Sequence, residues 1–376
     1  MPAVAARVSS ALWEMFDMVK ALIGSTNLIQ QPDQPLGSVL EELRGLHPRD
    51  PGFAPFYLVH VVNPFSQLAN ESHARTQHLT LVTMEQAASL DGAGGVRQIS
   101  VSMREDRGIA PNSFVRANDL DRTVLDVGSF GMPRPLPLLF DILDRAGTYA
   151  EPDDYLIYSN IDICLMPHFY RAVRDLIGLG FDAITVNRRT VSDMADYRTY
   201  HRLAASEVGS NHPGFDCLIF RRALYSLFVR CNVCIGAPSV ARALLYNMIV
   251  YSRRMLMLKN VHLTYHLGDD RTWLEKSFAD YHQFNTREVI GVMRQLAHDP
   301  ASLAILQEFC ERHPEPPRFA EVARSLTVAQ YSDHRLSNLA CKPSNCSEIQ
   351  TVPLLNLRTV NISSRVRRYR RDLRAT

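Results

Sequence analysis

The sequence predicts an α/β protein: a mostly parallel sheet with helices on both faces, with helical extensions at both ends. Three observations carry that expectation. Short apolar, β-branched runs alternate with helix-length segments between residues 56 and 186. That order lays parallel strands side by side through crossover helices. A breaker cluster at His47–Gly52 marks the boundary before the block, and His313–Pro317 breaks the chain again further on. The 376 residues are 46% apolar and 21% charged, a globular composition, and a chain this long buries roughly three quarters of its unfolded surface.

The elements follow in order. Apolar residues at 12, 13, 16, 19, 22 and 23 have helical spacing, and a second helix is expected over 37–46 after the polar stretch Gln30–Pro35. Residues 1–52 therefore read as a helical N-terminal extension. Phe56–Val62 (FYLVHVV) is a buried strand stopped by Asn63-Pro64-Phe65. A helix is expected over 71–90, a turn at Gly92–Gly95 and a strand over 96–103. Arg134–Ala146 reads as a helix with its prolines at the start. Asp154–Tyr158 is a third strand, 167–179 a helix and Phe181–Val186 a fourth strand.

Beyond 187 the pattern loosens. Residues 192–207 are polar and helix-compatible. Cys217–Phe220 is a strand, 222–229 and 238–256 are helices, and Val261–Tyr265 is a strand. Helices are expected over 274–296 and 302–309. This divides the chain into a catalytic block at 53–296, a helical segment at 297–331 and an extended tail at 332–376. No internal repeat is visible.

Composition also bounds partners and compartment. The 41 basic and 39 acidic residues balance to +2, so the average charge makes no case for nucleic acid. The balance is uneven along the chain. Arg365–Arg374 holds six Arg and one Asp, leaving −3 for residues 1–364. That tail reads either as a solvated end or as an anchor to an anionic membrane surface, worth roughly 1 kcal/mol per basic residue. Only four basic residues are Lys; the Arg excess is spread along the chain and fits codon bias as well as anion recognition. The seven cysteines are odd in number and lack a second CxxC for Cys231 and Cys234, which argues against a disulfide framework or a zinc site. Neither a secretory leader nor the ~20-residue apolar run of a membrane span is evident. The expectation is a cytoplasmic protein, peripheral at a membrane if the tail attaches.

Three constellations carry chemistry. In the first, the apolar strand Tyr155–Tyr158 runs into Ser159-Asn160-Ile161-Asp162. Alternation puts residues 160 and 162 on one side of an extended chain, where two oxygens suit a hard divalent cation holding phosphate. An Asx-turn that ends the strand explains the same residues. In the second, Asn211-His212-Pro213-Gly214-Phe215 leads into Asp216 at the mouth of a strand. Asp216 is placed either to accept a proton from a substrate hydroxyl or to cap a turn. In the third, a strand delivers His266 into Gly268-Asp269-Asp270-Arg271. His266 serves as a ligand or as a structural imidazole. The acids and Arg271 are acceptor or loop candidates.

Taken together, these elements resemble the nucleotide-diphospho-sugar glycosyltransferases of the GT-A type, over about residues 55–285. The resemblance implies a Rossmann-like sheet and an Asp-x-Asp element that, with a late His, holds Mn2+ or Mg2+ on the donor pyrophosphate. Asp162 matches the second Asp and His266 the C-terminal ligand, while Asn160 stands where the first Asp is expected. An amide keeps an oxygen but loses a charge, so metal dependence stays open. Asp216 matches the base or acceptor contact, Asn63 falls where donor nucleotides are held, and Arg134 and Arg188 are diphosphate candidates. The implied activity is sugar transfer to a hydroxyl on a glycan, lipid-linked or protein acceptor, with no specific nucleic acid. A nucleotidyltransferase or phosphate-ester hydrolase on a similar sheet, and an inactive binding scaffold, are the alternatives. No GxGxxG or Walker A element supports a dinucleotide or P-loop enzyme.

Overall fold

The computed structural model describes residues 28–30, 41, 55–66, 71–193, 203–204, 206–269, 275–298, 300–313 and 315–327. The chain divides into residues 1–331 and 332–376. The second unit, with Arg365–Arg374, lies outside the described residues. So do the helix expected over 8–24, nearly all of that over 37–46, and most of 192–207.

The strands of the large sheet are β1 (Leu28–Gln30), β2 (Leu58–Val62), β3 (Val96–Ser100), β4 (Val115–Arg116), β5 (Tyr155–Ser159), β7 (Ala183–Val186), β10 (Cys217–Arg221) and β11 (Met255–Leu258). Those of a smaller sheet are β6 (Cys164–Leu165), β8 (Arg189–Val191), β9 (Ser210–Asn211) and β12 (Thr264–Leu267). The large sheet runs β1-β11-β7-β10-β5-β2-β3-β4 and the small one β6-β12-β8-β9. Every pairing in the large sheet is parallel except those of β10, which lies antiparallel between β5 and β7. The sheet is therefore mostly parallel, as expected.

Alternation along the strands fills two cores. Val59, Val61, Leu156, Tyr158, Leu218, Phe220, Met255 and Met257 face one cluster. Leu58, Val62, Tyr155, Ile157, Cys217, Ile219, Leu256 and Leu258 face the other. This is the period of two of a pleated strand buried on both sides. Helix α1 (Glu71–Leu90) and α3 (Phe169–Gly178) cover the second face. The first is covered by α2 (Leu139–Gly147), α5 (Val240–Tyr251), α6 (Ala279–Leu296), α7 (Pro300–Arg312) and α8 (Pro317–Ser325). The short α4 (Arg222–Tyr225) follows β10 directly. No helix among the described residues is long and apolar enough to cross a membrane.

Several elements differ from expectation for identifiable reasons. The helix expected at Arg134 begins at Leu139, because Pro137 and Leu139 exchange backbone hydrogen bonds with Val233 and Ile235 and hold 137–139 extended. The long helix over 238–256 stops at Tyr251. There the Asp182 carboxylate accepts the backbone N–H groups of Arg253 and Arg254, each at 2.9 Å, and turns the chain into β11. The helix from 222 ends at Tyr225, and the Asn247 side chain then takes up both Val229 backbone groups. The strand expected at 261–265 is displaced to 264–267, which places His266 inside β12. Leu28–Gln30, within the N-terminal extension, adds an edge strand beside β11. Pro317 opens α8 inside an expected breaker, where proline is tolerated because its missing N–H has no intrahelical partner anyway.

Candidate active site

In an open parallel sheet, ligands sit beyond the carboxyl ends of the strands. Here β2 leads to Asn63, β5 leads to Asn160 and Asp162, and β7 leads to Arg188. Because β10 is antiparallel, its amino end delivers Asp216 to the same edge. The small sheet adds His266 from β12, paired in parallel with β8 just after Arg188.

The central contact joins Asp162 to His266. His266 Nε2 lies 3.3 Å from Asp162 Oδ2, with side chains 2% and 26% exposed. Proximity does not become an aligned hydrogen bond: His266 Nε2 and Asp162 Oδ1 are both buried without partners. On the far side of the ring, His266 Nδ1 is 2.9 Å from the Gly268 carbonyl. A carbonyl only accepts, so Nδ1 carries a proton in both charge states; Nε2 carries a second one toward Asp162 in the imidazolium and is a free lone pair in the neutral ring. Burial pulls the imidazole pKa down, but the adjacent carboxylate outweighs it and holds the pKa above the ordinary histidine value. Asp162 shows the reciprocal balance. Burial pushes its carboxyl up, and His266 with Arg188 hold it below the usual range.

The second contact joins Arg188 to Asp216. Both side chains are buried, at 3% and 8% exposure, with Arg188 Nη1 3.4 Å from Asp216 Oδ1. The Arg188 backbone N–H lies 3.4 Å from the other carboxylate oxygen. Arg188 Nε and Nη2 have no partner. A buried guanidinium with two unused donors is costly unless an acceptor reaches it. Its charge acts on Asp162, His266 and His212, so the two contacts form one electrostatic group.

Sequence reasoning named Asp216 but passed over its neighbour His212. His212 Nδ1 stands 3.8 Å from Asp216 Oδ2 and accepts the Gly214 N–H at 3.1 Å. Its carbonyl accepts from Asn187 Nδ2 at 3.0 Å, pinning the loop to the end of β7. A Cβ on Gly214 would come within 2.8 Å of His212 Cε1, so only glycine lets this ring lie against the turn. The signal was present as His-Pro-Gly in the motif, yet an i,i+4 proximity in a loop has no periodicity to reveal it.

The remaining predicted residues divide. Asn160 Oδ1 accepts the Tyr158 hydroxyl at 3.1 Å, so part of its ligating capacity is in use. Asn63 Nδ2 donates to the Val101 carbonyl at 2.7 Å and leaves a buried Oδ1 unpartnered. Nearby, Asp106 accepts the Ser66 backbone N–H at 2.9 Å, closing the loop after β2. Asp269 is exposed and acts electrostatically on His212, whereas Asp270 and Arg271 lie outside the described residues. Arg134 does not join the group. Its guanidinium donates to the Ser277 carbonyl at 2.8 Å and lies 4.2 Å over the Phe278 ring, so its charge is used to seat the start of α6.

No protein-family model and no curated protein matches the sequence. Solved structures do match. S. aureus TarS 1–349 in complex with UDP-GlcNAc is 9% identical, with 75% of this chain and 92% of that chain covered and a TM-score of 0.37. The same TarS fragment in complex with UDP is 11% identical, covering 74% and 78%, with a TM-score of 0.41. Galactosyltransferase LgtC in complex with donor and acceptor sugar analogs is 7% identical, covering 61% and 96%, with a TM-score of 0.29. A large sheet interrupted by one antiparallel strand, with a small sheet whose β6 follows the Asn160–Asp162 turn, is the arrangement on which the candidate residues converge.

Proposed function

We propose that this protein transfers a sugar from a nucleotide-diphosphate donor to a hydroxyl acceptor. The observation that carries this reading is the set of unpartnered buried atoms at one sheet edge: Asp162 Oδ1, His266 Nε2, Arg188 Nε and Arg188 Nη2. Native proteins leave few buried polar atoms unpaired, and these four belong to side chains that act on one another electrostatically. A diphosphate offers acceptor oxygens for Arg188, and a divalent cation would satisfy the other two residues.

The residues fit such a cation. Asp162 Oδ2 and His266 Nε2 are 3.3 Å apart, the spacing of two neighbouring ligands held at about 2.1–2.3 Å from one ion. The Gly268 carbonyl fixes the imidazole tautomer as an outer-shell partner does. No group of three His, Cys, Asp or Glu side chains suited to a metal occurs among the described residues, so phosphate oxygens and water would complete the shell. Bound Mn2+ or Mg2+ would neutralise charge on the leaving diphosphate. Arg188 stabilises the same charge with fixed donors. Asp216 takes the proton of the acceptor hydroxyl. Asn63 orients the nucleotide at the end of β2.

The acceptor is proposed to be membrane-associated or polymeric, approached through Arg365–Arg374; loss of anionic-vesicle binding on deletion of 365–376 is the expected result. The compartment proposed is the cytoplasm. The reading is tested by a thermal-shift and turnover screen of nucleotide sugars with and without Mn2+. Stabilisation by a nucleotide sugar, followed by release of the nucleotide diphosphate, supports it. Release of monophosphate or pyrophosphate instead would assign a hydrolase or nucleotidyltransferase, and neither binding nor release would leave a scaffold.

A further inference from the structure

Asp216 is 8% exposed and flanked on one side by Arg188. A base enclosed in this way must hand its proton onward before the next turnover. The side chain next to it that reaches solvent is His212, 20% exposed, with Nδ1 3.8 Å from Asp216 Oδ2. The ring is held there by its Nδ1 contact to the Gly214 N–H, by the Asn187 contact to its backbone and by the absence of a Cβ at Gly214. Accepting from Gly214 leaves Nδ1 unprotonated and puts the ring proton on Nε2, away from that contact.

We propose that His212 is the proton exit of Asp216, resting on the transferase reading above. The acceptor O–H gives its proton to Asp216 as the acceptor oxygen bonds to the sugar anomeric carbon. The bond from that carbon to the diphosphate oxygen breaks, and its electron pair leaves with the nucleotide diphosphate. Asp216 then passes the proton across the 3.8 Å gap to His212 Nδ1 as that nitrogen turns from the Gly214 N–H, Nε2 releases one to water, and proton exchange with solvent returns the ring to its Nε2–H tautomer. His212 acts through Asp216 and is a positioning and relay residue. The charged groups acting on it are Arg188 at the end of β7, Asp216 on its own loop, and His266 and Asp269 from β12 and its following turn. Burial, then Arg188, hold its pKa below the ordinary histidine value, so the ring is neutral between turnovers and gives up the relayed proton readily.

The test uses the full chain and a panel of UDP-, dTDP- and GDP-sugars, with water as acceptor. In His212→Ala, kcat is expected to fall about tenfold or more, KM for the donor to stay within twofold, and free imidazole to restore turnover. His212→Gln keeps a polar side chain but should not relay, and should show the same loss. Independently of turnover, the His212 ring followed by NMR should titrate at lower pH in Asp216→Asn than in wild type, since the carboxylate that raises it is gone. Unchanged kcat in His212→Ala, a loss that imidazole does not reverse, or a His212 titration indifferent to Asp216→Asn would overturn the relay. Absent donor binding and turnover in wild type, with the His212–Asp216 coupling intact, would instead fail the transferase reading and remove the relay with it.

Discussion

His266 Nε2 lies 3.3 Å from Asp162 Oδ2, joining a strand of the small sheet to the turn that leaves β5 of the large one. Residues 104 positions apart in sequence thus share one charge environment, and neither keeps its ordinary protonation behaviour.

Removing either partner should cost nucleotide binding rather than the fold. In Asp162→Ala the affinity for a nucleoside diphosphate in Mn2+ is expected to fall tenfold or more, about 1.4 kcal/mol. His266→Ala should show a similar loss that shrinks when the metal is omitted. Isothermal titration with and without Mn2+ checks both, and unchanged affinity in Asp162→Ala would sink the assignment.

Asp216→Asn should separate chemistry from binding. The amide keeps the size of the side chain and loses the proposed base. Turnover is expected to fall about 10²–10⁴-fold, the usual contribution of a general base, with nucleotide affinity nearly unchanged. Arg188→Ala should instead leave a buried carboxylate unpaired and destabilise the protein by about 3–5 kcal/mol. Denaturant midpoints and single-turnover rates distinguish the two.

Gly214→Ala tests the loop. The added Cβ would meet His212 Cε1 at 2.8 Å and Nδ1 at 3.0 Å, so the ring must move off its place beside Asp216. Turnover should drop about 10- to 100-fold, the scale for a misplaced catalytic group, while the melting temperature stays within a few degrees of wild type.

Acid should weaken the fold through His60. This ring is fully buried, with Nδ1 2.9 Å from the Tyr170 hydroxyl and Nε2 2.9 Å from Ser159 Oγ. Burial pushes its pKa down to about 3, whereas an unfolded histidine titrates near ~6.5. The unfolded chain therefore binds the proton first. The stabilisation from neutral His60 is complete above pH ~6.5 and is lost as pH falls toward ~3, by up to ~1.4 kcal/mol per pH unit. Unfolding free energies from urea titrations at pH 7.5 and 5 should differ by about 2 kcal/mol from this residue alone, and His60→Gln should flatten that slope whatever its absolute stability.

Much of the sheet was legible because its strands are apolar on both faces. Phe56–Val62 and Phe181–Val186 read as buried runs and became β2 and β7. The miss at β11 has a clear cause. Met255–Leu258 continues the apolar pattern of α5, and only Asp182, catching two backbone N–H groups from 71 residues away, turns the chain there. The short strands β4, β6, β8 and β9 hold two or three residues each, too few for a period to register.

The sequence alone determined the alternation of strands and helices, the Asn160–Asp162 turn, the Asp216 loop and the strand-borne His266, because each rests on local patterning. Tertiary structure decided which of these residues meet. It reversed β10 so that Asp216 faces the same edge as Arg188, moved His266 inside β12 and against Asp162, took Arg134 away to Ser277 and Phe278, and set His212 beside Asp216. Those outcomes depend on strand direction and long-range hydrogen bonds. Such contacts link residues tens to over a hundred positions apart and leave no period in the sequence.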